Sequence, residues 1–288
     1  MNPRTLNFAF FGTPAFVIPV LEKLKNAGFI PSLVVTAPDK PQGRDHILTP
    51  PAVKVWAEEN GIPVEQPAKV RGNTDFFTKL KARNFDLFIV AGYGKILPQE
   101  ILDLPAKGTL NVHPSLLPLH RGPAPVESQI LSGDENVGVS VIALDAEMDH
   151  GPIVAQKSFP MPEPLPRAPE LDELLWPEGG KLLAEVLPQW IDGSVMPKEQ
   201  DHSKAAFTKK FAKEDGLIDL ADNPLLNFRK FKAHDPWPGT YFFVDQHGKK
   251  IRVIVKEADL IDGQFVVRRI IPEGKKEMNY ADFMRNLK

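Results

Sequence analysis

Leu6-Asn7-Phe8-Ala9-Phe10-Phe11-Gly12-Thr13-Pro14 is the stretch that decides the fold of this chain. Its first six residues are nearly all apolar, without the polar alternation of a strand that has one wet face. A strand buried on both faces belongs to a parallel sheet covered by helices. Gly12 breaks the run. Thr13-Pro14 then reads as an N-cap followed by a residue suited to the first helical position. Phe16, Val17, Val20, Leu21 and Leu24 follow at helical spacing, and Gly28 supplies the stop.

Working outward, the same alternation continues. Leu33-Val34-Val35 reads as a second strand, followed by a polar segment from Thr36 to Pro50 that exceeds an ordinary connection. Helices are predicted from Pro51 to Gly61 and from Thr74 to Arg83, with a fully apolar strand over Asp86–Ala91. Thr109–Val112 and Val137–Leu144 read as two more strands, with Pro123–Ser132 helical between them. This pattern predicts an α/β fold, a doubly wound and mostly parallel sheet of Rossmann-like type, over residues 1–197. Within that span a proline-dense stretch, Phe159–Pro169, precedes helical spacing from Glu170 to Ile191. Polar residues 198–210 read as a linker. Residues 211–288 change character, with one helix (Pro224–Ala233), the turn Asp235–Gly239, and short strands over Tyr241–Val244, Ile251–Val255 and Phe265–Ile270. That is a small β-rich domain.

The bulk properties exclude several classes. With 42% hydrophobic and 25% charged residues, the composition is that of a soluble globular protein. No segment approaches the roughly 20 apolar residues of a membrane span. The N-terminal residues pass quickly into a buried strand without the features of a secretory leader, so a cytoplasmic location is expected. The absence of cysteine removes disulfide, thiolate–zinc and cysteine-nucleophile chemistry. The net charge of -2 is divided unevenly. Residues 1–207 carry 19 Lys+Arg against 25 Asp+Glu, and residues 208–288 carry 16 against 12, giving -6 and +4. A basic tail on an acidic body suits a phosphate-bearing partner, and equally suits two solvated faces that differ.

Ligands of open parallel sheets bind beyond the carboxyl ends of the strands. Five such ends are unusual here: Gly12-Thr13-Pro14, Thr36–Asp39, Gly92-Tyr93-Gly94, Asn111–Ser115 and Asp145–Gly151. All five are expected along one edge. No G-x-G-x-x-G or G-x-x-x-x-G-K-[ST] pattern is present, nor a nucleophile-elbow serine, nor paired histidines at metal-ligand spacing, so no metal is expected. What remains is an amide, an imidazole and a carboxylate: Asn111, His113 and Asp149. Each has a plain explanation alone, a structural hydrogen-bonder or a turn residue. Asn111 and His113 share one face of a strand. Together the three can serve acyl transfer between nitrogens, with two donors for a tetrahedral oxyanion and one group to carry protons.

Asn111-Val112-His113-Pro114-Ser115-Leu116-Leu117-Pro118, with Arg121-Gly122, Ala124-Pro125, Leu144-Asp145 and Met148-Asp149-His150-Gly151-Pro152, resembles the signature of the folate-dependent formyltransferases. Phe11–Pro14, Pro38–Arg44, Thr49–Lys54 and Tyr93–Pro98 are similar to the branch whose acceptor is the α-amino group of methionine on initiator tRNA. The resemblance implies 10-formyltetrahydrofolate as co-substrate, a part in translation initiation, and acceptor selection by tRNA contacts in a monomer. An amino sugar nucleotide is the alternative acceptor. By this likeness Asn111 and His113 polarise the formyl oxygen and Asp149 manages protons. Folate lies along Tyr93, Gly94, Ile96, Leu97, Ser115, Leu116, Leu117, Pro118 and Asp145. The tRNA meets Arg44, Gly12, Thr13, Pro14, Arg121 and Gly122. Departures from the family pattern are Asp45 in the polar loop, Glu127 in place of an amide, and His150 in place of Thr. The C-terminal domain is implied to be OB-like, and the stretch between Ala258 and Val266 reads as shortened.

Overall fold

The computed structural model of the protein describes residues 6–43, 46–246 and 248–287. Arg44 and Asp45 therefore lie outside the described residues. Contacts divide the chain into two compact units. The first comprises the residues up to Pro123, Val137–Phe159 and Asp172–Phe207; the second comprises Ala124–Asn136, Pro160–Leu171 and the residues from Thr208 onward. Most of the polar segment read as a linker, up to Phe207, thus groups with the first unit, whereas the helix near Ser132 groups with the second.

In chain order the first unit begins with β1 (Phe8–Phe11), α1 (Ile18–Asn26), β2 (Leu33–Val35), β3 (Lys40–Gln42), β4 (Ile47–Thr49), α2 (Ala52–Glu59) and β5 (Val64–Glu65). It continues through α3 (Thr74–Ala82), β6 (Leu87–Val90), α4 (Gln99–Leu102) and β7 (Thr109–His113). After α5 (Pro125–Ser132) come β8 (Asn136–Ala143), β9 (Ile153–Pro160) and α6 (Ala168–Asp192). Seven strands form one sheet in the order β5-β2-β1-β6-β7-β8-β9. β5, β2, β1, β6 and β7 are parallel neighbours, and β8 pairs antiparallel with β7.

The unalternating run at β1 is explained by its two cores. Phe8 and Phe10 face a cluster with Val20, Leu21 and Leu24 of α1, Trp56 of α2, and Leu183 and Leu187 of α6. Ala9 and Phe11 face the opposite cluster, with Phe76 and Leu80 of α3 and Ile101 of α4. Side chains of a strand alternate between faces, so burial of both faces demands apolar residues throughout. The helix start departs from the sequence expectation. Pro14 precedes a short 3-10 turn, Ala15–Val17, that leads into α1, and Thr13 caps nothing there. The Thr13 hydroxyl instead accepts the Ala37 N–H at 3.3 Å. The polar segment 36–50 holds the hairpin β3–β4, in which Lys40 pairs with Thr49 and Gln42 with Ile47.

The second unit contains α5, α7 (Pro224–Ala233), β10 (Tyr241–Gln246), β11 (Lys249–Ile261), β12 (Gln264–Pro272), β13 (Met278–Asn279) and α8 (Tyr280–Arg285). The four strands form an antiparallel sheet in chain order, with β10 and β13 at its edges. Ile218, Phe231, Phe242, Val253, Val255, Ile270 and Phe283 form its core. The shortened stretch is a tight turn. Asp262 and Gly263, at φ 48° and 74°, join β11 directly to β12, the left-handed pair that a two-residue hairpin requires.

Candidate active site

Asn111 and His113 leave β7 on one face, buried to 8% and 5% exposure. The His113 Nε2 lies 2.9 Å from the His120 carbonyl oxygen. A carbonyl only accepts, so Nε2 carries a hydrogen. His113 Nδ1 then faces Asp149 Oδ1 at 3.7 Å, beyond hydrogen-bond length. Asn111 Nδ2 reaches the same oxygen at 3.4 Å. The other carboxylate oxygen of Asp149 accepts the Gly122 N–H at 2.8 Å. The three side chains named from the sequence therefore converge on one point.

Asp149 gets there by an unexpected route. Because β8 runs antiparallel, its end lies level with the start of β7, with Leu110 opposite Ala143 and His113 opposite Ser140. The loop after β8 consequently does not leave from the same edge as the other four irregular loops. It folds back over Asn111, with Asp149 at φ 49° in the left-handed region. Gly151 makes the fold-back possible, since a Cβ built there falls 1.8 Å from the Ala143 carbonyl oxygen. Among the other loops Thr13 is the tie. Its hydroxyl lies 3.5 Å from the Tyr93 carbonyl and 3.4 Å from the Thr36 hydroxyl, while Gly12 N–H donates to the Val35 carbonyl at 3.1 Å.

Several expected ligand contacts are spent internally. Tyr93 directs its ring into the core against Phe11, with centroids 5.4 Å apart, and Leu97 joins the same core. The Tyr93 hydroxyl is buried without a hydrogen-bond partner among the described residues, and burial holds it well above the usual phenol range. Gly94 and Ile96 are exposed beside them. The Ser115 hydroxyl donates to the Leu119 carbonyl at 2.7 Å, and the Ser115 carbonyl accepts from Ser140. Gln156 and Ser140 pin Leu117 through its carbonyl and N–H. Leu116 packs on Gly138, and Pro118 accepts the Ala206 N–H through its carbonyl. Ser115 and Leu117 thus shape the loop beneath the site with buried groups. Asp145 bonds His150 Nδ1 at 2.7 Å.

Arg121 is expected from the resemblance to meet the tRNA. It is buried, and its guanidinium donates to Gln200 Oε1 at 2.7 and 3.2 Å and to His202 Nδ1 at 2.9 Å. The His202 ring stacks on His150 with centroids 4.1 Å apart. Gln200 and His202 escaped the sequence reading because they stand in a polar stretch with no motif around them. Only tertiary pairing marks them.

Residues 6–167 match the family model described as Formyl transferase. The chain belongs to the formyltransferase family. Methionyl-tRNA formyltransferase of Chloroflexus aurantiacus is 43% identical to it over 266 residues, covering 92% of this chain and 84% of the relative. The solved structure of HypX from Aquifex aeolicus in complex with tetrahydrofolic acid superposes with a TM-score of 0.65 at 17% identity, over 98% of this chain and 47% of that one. A sugar N-formyltransferase from a Shewanella species gives 0.65 at 18% identity, over 89% and 99%. At such identities these two likenesses speak for the fold of this formyltransferase alone. Among the described residues, no helix is long and apolar enough to cross a membrane.

Proposed function

We propose that this formyltransferase moves a formyl group from 10-formyltetrahydrofolate to the α-amino group of methionine carried on initiator tRNA, in the cytoplasm. The observation that carries the reading is the meeting of Asn111, His113 and Asp149 at one point. Support for this acceptor comes from a methionyl-tRNA formyltransferase whose likeness extends over 92% of the chain and so into the second unit.

The amine nitrogen attacks the formyl carbon, the carbonyl electrons move onto oxygen, and collapse breaks the bond to folate N10. The amine gives up one proton and N10 takes one. Asn111 Nδ2–H is one donor for the oxyanion. His113 has Nε2–H committed to His120, which leaves Nδ1 as the nitrogen that faces the reacting centre beside Asp149. Asp149 receives the amine proton and passes it toward N10, directly or through water. No covalent enzyme intermediate is needed. The test is incubation with 10-formyltetrahydrofolate labelled at the formyl carbon, offering methionyl-tRNA and a nucleotide-linked amino sugar separately. Label on methionyl-tRNA is expected. Label on the sugar alone overturns the acceptor, and label on neither overturns the reaction.

A further inference from the structure

Gln200 is a buried amide with every polar valence used. Its Oε1 accepts two N–H bonds from Arg121. Its Nε2 donates to the Asp149 carbonyl at 2.8 Å and to the Gly151 carbonyl at 2.7 Å. The amide cannot be turned over: a guanidinium only donates and a carbonyl only accepts, so oxygen must face Arg121 and nitrogen the two carbonyls. These bonds complete a ring. Gly122 holds the Asp149 carboxylate through its N–H; the preceding residue, Arg121, holds the Asp149 backbone through Gln200. Asp149 needs such holding, because a non-glycine residue in the left-handed region is strained by about 1 kcal/mol or more and persists only when its surroundings fix it. Arg121 is itself anchored to the same segment, through its N–H to the Ala206 carbonyl at 2.8 Å and the Phe207 ring 5.8 Å from its guanidinium.

We propose that Gln200 is a positioning residue that aims the Asp149 carboxylate, with Arg121 as its anchor. This rests on the proton-handling role assigned to Asp149 above. The segment 198–207 is then part of the catalytic apparatus: it acts on the reaction without touching the substrate.

Two substitutions separate positioning from folding. Gln200→Glu keeps an oxygen for Arg121 and strengthens that pair, yet sets an acceptor against two carbonyls. Gln200→Met keeps the volume and loses both sets of bonds. In the formylation assay with full-length protein, Gln200→Glu should lower kcat by roughly 10- to 100-fold, the scale of a misplaced reacting group. KM for 10-formyltetrahydrofolate and for methionyl-tRNA should stay close to the unsubstituted values, while the thermal midpoint falls because two buried carbonyls lose their donor. Gln200→Met should show the same loss of kcat. Unchanged kcat in Gln200→Glu overturns the proposal. So does a loss of kcat that appears only with raised KM for both substrates, or failure of both variants to fold, since each assigns a purely structural role. Asp149→Asn, run alongside, distinguishes the levels. If it retains the rate, the role of Asp149 falls and the proposal with it. If it loses the rate while both Gln200 variants keep theirs, the positioning role alone falls.

Discussion

At the scale of single residues, the surroundings of His113 decide which of its ring nitrogens is left to face the site. The His120 carbonyl claims Nε2–H, so Nδ1 is the nitrogen that faces Asp149. His113→Ala should lower kcat by roughly 100-fold or more, the cost of one oxyanion donor, with folate binding little changed. Steady-state kinetics alongside folate titration checks this, and an unimpaired rate removes His113 from the mechanism. Tyr93 makes the opposite point. Its buried hydroxyl has no partner among the described residues, and its ring belongs to the core. Replacing an unpaired buried hydroxyl by an apolar group of the same shape relieves a desolvation cost. Tyr93→Phe should therefore leave the thermal midpoint unchanged or higher, with KM for folate unaffected. A lowered midpoint would mean that the phenol has a bonding role.

At the scale of elements, the loop between β8 and β9 is the part most exposed to a single change. Asp149 reaches Asn111 only because the chain turns back past Ala143 at Gly151. A methyl group there meets a carbonyl oxygen at 1.8 Å, and neither backbone can yield without moving the strand. Gly151→Ala should abolish formyl transfer and lower the thermal midpoint, whereas folate affinity should suffer less than kcat. Full activity in that variant would show that the loop has another path. The segment 198–207 belongs to this scale as well. Ile153 and Lys198 exchange backbone hydrogen bonds at 2.8 Å in both directions, so the segment is laced to β9 before it reaches Gln200.

At the scale of the whole molecule, stability has a built-in dependence on acid. His234, in the second unit, is 2% exposed and packs against Phe211, with both ring nitrogens lacking hydrogen-bond partners among the described residues. Burial pushes its imidazole from the ordinary 6.5 down to about 4, against the opposing pull of Asp215. The unfolded chain takes up this proton near pH 6.5, while the folded chain refuses it until about pH 4. Its contribution to stability is thus complete above pH 6.5 and is lost as pH falls toward 4. The loss is on the order of 3 kcal/mol. Urea unfolding between pH 7 and pH 4 should reveal it, followed by fluorescence of Trp237, the tryptophan nearest in sequence. His234→Phe should flatten that part of the curve; an unchanged slope would place the acid sensitivity elsewhere.

The sequence by itself determined the parallel part of the sheet and the shared face of Asn111 and His113. Phe8–Phe11 has to be apolar at every position because both faces of its strand are covered, and Leu87–Val90 repeats the logic. Asn111 and His113 are two residues apart, so strand geometry alone puts them on one face. The Asp262-Gly263 turn was open to the same reading, because its chemistry is local. What only the tertiary structure decided depends on partners distant in sequence. The antiparallel course of β8, the return of Asp149, and the enclosure of Arg121 by Gln200 and His202 join residues separated by dozens of positions. A polar side chain in a polar segment carries no sign of where it will be buried. Gln200 became legible only when the fold set it between a guanidinium and two carbonyls, where hydrogen-bond geometry leaves it one orientation.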